Sequence, residues 1–351
     1  MRSFFRRPYA YTAVFSGVLA LFFLYTLLLV FVIPRSLGGF GNEFVAEPFT
    51  GVVQTDWGNN TPDGGYTTND ITIPEDLFEL DPHVKYPLIT DTLYMDETMR
   101  IEISQIRRYE SDVYVADVRI KDPSLIKTAL ARDRFGQEYG MNIKERPSEI
   151  ANRVGAILAV NGDFYGTNES GYVIRNGIIY RDTIRPSNDS DSDLAYFDDL
   201  AIMRNGAFVT FDEKDYTARE VWDKGALHVL TFGPTLVSGG NIAVDVNAEV
   251  GLAWSKTGNP RCAIGYVSAG HYLFVVVDGR SDASPGTSLW ELADILRELG
   301  AETAYNLDGG GSATMIFNGR LINTPHTNWN IPSGERSVSD IVYIGYETVR
   351  E

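Results

Sequence analysis

The chain has 351 residues, with 30 Lys and Arg against 47 Asp and Glu and a formal charge of -17. That balance argues against nucleic acid as a partner, because a phosphate backbone needs a basic footprint, although a few local arginines can still bind one phosphate. A single cysteine, Cys262, excludes an intrachain disulfide and a thiolate metal cluster, while 44% apolar and 12% aromatic content supports a substantial core.

Arg2, Arg6 and Arg7 precede an uncharged-residue run from Ala13 to Ile33, long enough to cross a bilayer core as a helix, and Pro34-Arg35 ends it. The basic flank belongs inside and places everything after it outside. The run is longer than the apolar region of a signal peptide and no Ala-x-Ala site follows it. The expectation is therefore an uncleaved signal-anchor over residues 1–35, giving a single-pass cell-membrane protein with an extracytoplasmic body. Residues 36–95 read as a spacer and lead-in, rich in Gly, Asn, Thr and Asp as far as residue 70. Residues 96–351 show no further linker and read as one catalytic domain.

Within that domain, Arg100–Ser104 and Val113–Ile120 alternate as edge or half-buried strands do. Pro147–Val154 reads as a short helix feeding an apolar strand from Ala156 to Val160. Asn176-Gly177, between Tyr172–Arg175 and Ile178–Tyr180, is a hairpin signal, and Asn205-Gly206 and Asn318-Gly319 repeat it. The acidic run from Asp189 to Asp199 lacks EF-hand spacing and reads as a solvated loop. Strands are expected near 227–232, 263–268 and 272–277. A helix follows over 288–299, with Leu289, Leu292, Ala293, Leu296 and Leu299 on one face, a Ser288/Glu291 capping box and Gly300 to close it. Strands from Glu302 to Leu307 and from Ile341 to Tyr346 complete an α+β (mixed α/β) domain with more strand than helix.

Three segments share one form, an apolar strand ending in a polar turn with Asp beside glycine: Asn161-Gly162-Asp163, Asp278-Gly279-Arg280 and Asn306-Leu307-Asp308-Gly309. Strand ends are where a rigid scaffold presents functional groups. In the last, Gly309-Gly310-Gly311 precede Ser312, and three successive glycines call for a reason such as positive φ or close approach of a ligand. The Gly-x-Ser-x-Gly elbow, the P-loop and His-Glu-x-x-His are absent. His83, His228, His271 and His326 form no ligand pattern, and His228 reads as a core histidine. What remains is carboxylate chemistry assisted by arginine and backbone N–H groups. A phosphate diester is a good leaving group, so its protonation matters less, and Arg261, Arg280 or Arg336 is the kind of cation that holds it.

At these residues the sequence resembles the phosphodiester glycosidase family, the family of the lysosomal N-acetylglucosamine-1-phosphodiester alpha-N-acetylglucosaminidase and of bacterial proteins labelled as exopolysaccharide-biosynthesis members. The resemblance rests on Ala156–Tyr165 with its Asn161-Gly162-Asp163-Phe164-Tyr165, on Arg261–Gly265, and on Val277-Asp278-Gly279-Arg280 with the helix from Ser288. It continues through Asn306–Met315, Glu335-Arg336 and the last strand. It implies hydrolysis of a glycosyl-1-phosphodiester in an extracellular or envelope glycopolymer, with release of the sugar. It implies Asp163, Asp308, Asp278 and Glu335 as catalytic candidates, with Asp163 and Asp308 as the acid/base or electrostatic pair. Asn161, Arg261, Arg280, Asn306, Gly309, Gly310, Gly311, Ser312 and Arg336 would bind substrate, the arginines on phosphate and the glycine N–H groups against sugar or phosphate oxygens. The partner implied is a phosphodiester-linked glycan. No cofactor is expected, and a divalent cation stays open. Two other readings stand beside this one: a membrane-anchored glycopolymer-binding or assembly protein without turnover, drawing on exposed aromatics such as Trp57 and Trp329, and a metal-dependent phosphodiesterase that cuts the P–O bond.

Overall fold

The computed structural model describes residues 72–138, 140–185, 198–244 and 257–346. The expected membrane anchor, the spacer as far as residue 71 with Trp57, and positions 189–197 of the acidic run lie outside the described residues. Among the described residues no helix is long and apolar enough to cross a membrane.

The domain is strand-rich, and its strands pair antiparallel throughout. A nine-stranded sheet has Ser111–Ile120, His271–Val277, Arg261–Ser268 and Thr303–Leu307 side by side at its centre. Both faces of this centre are buried, which is why Tyr272–Val277 is a continuous apolar run. Leu273, Val275 and Val277 point to the helix Leu289–Glu298, and Tyr272, Phe274 and Val276 point to the second layer. Burial of each such side chain contributes roughly 1.5–3 kcal/mol. The helix starts as its sequence predicts: Ser288 Oγ accepts the Glu291 N–H at 3.2 Å and the Glu291 carboxylate accepts the Ser288 N–H at 2.7 Å.

The second layer is made by two five-stranded sheets. In one, Met315–Phe317, Leu158–Asn161, Asp340–Ile344 and Ile126–Leu130 lie in that order, with helix Pro147–Val154 on the outer face through Ile150, Ala151 and Val154. In the other, Leu200, Ile202 and Leu230 reach the central core, while Ala201, Met203 and Val229 face helix Ala218–Asp223. The Asn176-Gly177 and Asn318-Gly319 turns have positive φ at both residues, 50° and 77° in the first and 47° and 73° in the second. At Asn205-Gly206 only the glycine does, and Asn205 instead caps the turn by accepting the Ala207 N–H.

Three expectations change. Leu88–Ile89 and Leu93–Met95, assigned to the lead-in, pair onto the nine-stranded sheet (Leu88 opposite Met95, Leu93 opposite Glu102), so the domain reaches back before residue 96. Those added strands, and His271–Val277 on the other side, make Met99–Arg108 and Ser111–Ile120 interior strands, so of the two expected alternatives the half-buried one holds and the edge does not. The end of the acidic run is no solvated loop: Asp198 and Asp199 open the strand Asp198–Met203, and Asp199 is fully buried against Arg185.

Candidate active site

The three Asp-Gly turns meet at one end of the central strands. Register places Arg261 opposite Val277 and Cys262 opposite Leu307, so Asp278 and Asp308 leave their strands on either side of Pro260-Arg261. The Asp308 N–H donates to the Gly162 carbonyl at 3.2 Å, which brings in the end of Leu158–Asn161. Asn161 secures this junction, its Nδ2 donating to the Asp308 carbonyl at 2.6 Å and its Oδ1 accepting the Thr314 N–H at 3.2 Å.

Asp308 is the carboxylate that meets the cations. Its Oδ2 lies 3.3 Å from Arg336 Nη2, and Arg336 Nε and Nη2 donate to Ser312 Oγ at 2.9 and 2.7 Å. Burial pushes the Asp308 carboxyl up from its ordinary value, opposed by hydrogen bonds from Ser312 and Gly309 and by the Arg336 charge. Arg280 stands beside them in a left-handed conformation (φ 60°) that costs a non-glycine residue on the order of 1 kcal/mol, and such strain gathers at functional sites. Its Nη1 donates to the Thr327 carbonyl at 2.7 Å. Arg261 lies deeper, with Nε on the Thr287 carbonyl at 2.8 Å and Nη2 on that of Thr257 at 3.2 Å. Burial and the neighbouring Arg280 charge hold Arg261 down at about 10, and burial with the Arg336 charge lowers Arg280 in turn. Arg280 feels both other guanidiniums, and the three arginines outnumber the carboxylates acting on them, Asp308 and, at Arg261, Glu291, in a protein that is acidic as a whole.

The glycine run is explained by the protein's own packing. A Cβ on Gly309 would meet the Pro260 carbonyl at 2.7 Å, one on Gly310 (φ 59°) the Arg280 Nη2 at 2.9 Å, and one on Gly311 the Thr327 Oγ1 at 2.5 Å. The expectation that all three N–H groups face ligand oxygens changes accordingly. Gly310 donates to the Pro260 carbonyl at 2.8 Å, just before the strand Arg261–Ser268, and Gly309 to the Asp308 carboxylate, so both are engaged by the protein itself.

The other expected site residues take different positions. Asp163 is fully buried, with Oδ2 on Arg175 Nη2 (2.8 Å) and the Thr231 N–H (2.7 Å) and Oδ1 on the Tyr165 N–H (3.1 Å). With both oxygens engaged and no exposure, it does not meet substrate as the expected acid/base partner; it is half of a buried ion cluster. Arg175 Nε pairs with Asp340 Oδ2 at 2.8 Å, and Asp340 Oδ1 lies 2.1 Å from where a Cβ on Gly162 would stand, which is why position 162 is glycine. Glu335 turns away from Arg336 to cap the helix Pro147–Val154, accepting the Ser148 N–H at 2.7 Å and its hydroxyl at 2.6 Å. Asp278 anchors the segment just before the strand His326–Asn328 by accepting from Asn323 Nδ2 (3.0 Å) and the Thr324 N–H (3.1 Å). Asn306 holds the loop before Thr235, donating to the Gly233 carbonyl at 2.7 Å. His228 is the core histidine expected: buried, pushed down to about 3 by burial, with Nδ1 accepting the Asn176 N–H. Arg175 and Asp340, with the Thr231 N–H beside them, are not among the residues expected from the sequence. The signal for these two is a charge directly at the end of a β-prone apolar run, Val173-Ile174-Arg175 and Asp340-Ile341-Val342, which requires a partner where the strand end is buried.

Among the described residues no group of three or more His, Cys, Asp or Glu side chains is arranged to hold a metal ion. A surface groove lined by Phe78, Arg100, Glu102, Asp117 and Arg119 shares no residue with the cluster, and its arginines are already paired with Glu102 and Asp117.

Comparison with known proteins places this cluster in context. The human N-acetylglucosamine-1-phosphodiester alpha-N-acetylglucosaminidase is 31% identical over 211 residues, 56% of this chain and 39% of that protein. The SPbeta prophage-derived uncharacterized protein YomE of Bacillus subtilis (strain 168) is 26% identical over 272 residues, 75% of this chain and 39% of that protein. The chain thus spans about two fifths of the length of these curated relatives. Two solved structures share the fold. The zebrafish N-acetylglucosamine-1-phosphodiester alpha-N-acetylglucosaminidase catalytic domain, auto-inhibited by its pro-peptide, has a TM-score of 0.53 at 21% identity, covering 71% of this chain and 83% of that one. A hypothetical protein from Synechocystis has a TM-score of 0.50 at 16% identity, covering 71% and 62%. The family model described as phosphodiester glycosidase matches residues 154–345, which hold every element of the cluster, and the chain belongs to the phosphodiester glycosidase family.

Proposed function

We propose that this protein hydrolyses a glycosyl-1-phosphodiester in an extracellular or envelope glycopolymer, releasing the sugar and leaving a phosphomonoester. The observation that carries this reading is the Asp308 carboxylate beside Arg336 and Arg280, with Arg261 behind, at the ends of three adjacent strands. Arginines that outnumber the carboxylate among them suit a phosphate, whose oxygens accept paired N–H donors. With the phosphate so held, the bond between the sugar's C1 and the bridging oxygen breaks without a strong acid, because the departing phosphomonoester is already stable as an anion. Asp308 is then the group that meets the positive charge developing at C1 and the water that replaces the phosphate. A mechanism with one carboxylate at the reacting centre fits the engagement of Asp163 and Glu335 elsewhere. Family membership supports the reaction class, and the expected signal-anchor supports work at the outer face of a membrane.

The test is incubation of the purified full chain with sugar-1-phosphodiesters and chromatography of the products. Free sugar and a phosphomonoester are expected from the wild type and neither from Asp308→Asn. Sugar phosphate as the product, or binding of the glycan without turnover, overturns the reading.

A further inference from the structure

Beside the arginine cluster a short hairpin, His326–Asn328 paired with Ile331–Pro332, carries Trp329 and Asn330 at its turn. Trp329 is 53% exposed, unusual for so large an apolar ring. It is nevertheless fixed in place. Its Nε1 donates to Asp282 Oδ1 at 3.0 Å, and Asp282 also accepts from Asn330 Nδ2 at 2.8 Å while giving its own N–H to Asn330 Oδ1 at 2.8 Å. The hairpin is tied to the site through Arg280 at two points. The Asn330 N–H donates to the Arg280 carbonyl at 2.7 Å, and the Thr327 carbonyl accepts Arg280 Nη1 at 2.7 Å. Thr327 also lies against Gly311. Trp329 stands two positions from Thr327, whose carbonyl orients Arg280, at most roughly 7 Å along the chain and so within the reach of about one sugar ring. An aromatic face next to a carboxylate and an amide is what a sugar ring requires, C–H groups on the ring face and hydroxyls on the planar polar groups, and a pre-fixed aromatic loses little entropy on binding.

We infer that Trp329, held by Asp282 and Asn330, is a stacking platform for a sugar of the glycan chain one unit away from the phosphodiester. It makes the preferred substrate an extended phosphoglycan and not a small diester. This rests on the reading of Asp308 and the arginines as the hydrolytic site.

The experiment compares two diesters of one sugar 1-phosphate, one esterified to methanol and the other to a trisaccharide, with the wild type, Trp329→Ala and Trp329→Phe. The wild type is expected to prefer the trisaccharide ester by about tenfold in kcat/KM, the upper range for an aromatic contact. Trp329→Ala is expected to lose that preference through KM and not kcat, and Trp329→Phe to keep most of it. Equal preference in the wild type and Trp329→Ala overturns this inference and leaves the hydrolytic reading standing. Turnover of neither diester by the wild type overturns both.

Discussion

Asp308, Arg336 and Arg280 carry different parts of the proposed reaction, so their loss should be seen in different constants. Asp308→Asn removes the charge that meets C1 and should lower kcat/KM by at least about a hundredfold. Arg280→Gln removes a phosphate donor and should act mainly on KM, raising it by about tenfold or more. Acidity separates the roles further. Burial raises the Asp308 carboxyl and the Arg336 charge opposes that rise, and the ionised form is the active one. Activity should therefore fall on acidification at a pH above the ordinary aspartate value, and Arg336→Gln should move that limb to still higher pH. A shift to lower pH in the pH–rate profile contradicts the assignment. The Asp-Gly turns at strand ends were legible from residues alone, because each is a local signal, whereas the meeting of Arg261, Arg280 and Arg336, far apart in sequence, was not. What Asp163 and Glu335 do was not. A carboxylate's role depends on whether Arg175, 12 positions on from Asp163, or Ser148, far before Glu335, lies against it.

At the level of elements, the helix Leu289–Glu298 and the Asn176-Gly177 hairpin followed from capping residues and turn residues adjacent in sequence. The pairing of Leu93–Met95 onto the main sheet did not, since edge or interior status depends on which distant strand comes alongside. The same holds for the buried cluster that joins Val173–Arg175, the end of Leu158–Asn161 and the start of Asp340–Ile344. Arg175→Met would leave Asp163 and Asp340 buried without their cation. It should destabilise the protein by about 3–5 kcal/mol in denaturant unfolding, as breaking a buried pair does. Asp163→Asn should likewise cost stability as well as activity, because Arg175 and the Thr231 N–H both lose charge-assisted partners. Loss of activity in Asp163→Asn with a wild-type unfolding midpoint would instead return Asp163 to the reacting centre.

For the molecule as a whole, buried ionisable groups make stability depend on pH. Burial and the neighbouring Asp163 charge hold the Asp340 carboxyl above its ordinary value despite Arg175. The folded state then binds more protons than the unfolded one between those two values, so this group's contribution declines as pH rises through the window. Buried His228 acts with the opposite sign, its stability being lost as pH falls from the ordinary histidine value of 6.5 toward about 3, but equally in any variant at position 340. Melting temperatures of wild type and Asp340→Asn across this range should diverge as pH rises, with the variant declining less. A pH-independent difference contradicts this. The central claim concerns which bond breaks, and hydrolysis in water enriched in oxygen-18 tests it most directly. Attack at C1 predicts a phosphomonoester free of label by mass spectrometry, with the new oxygen on the released sugar, and label in the phosphate would contradict it.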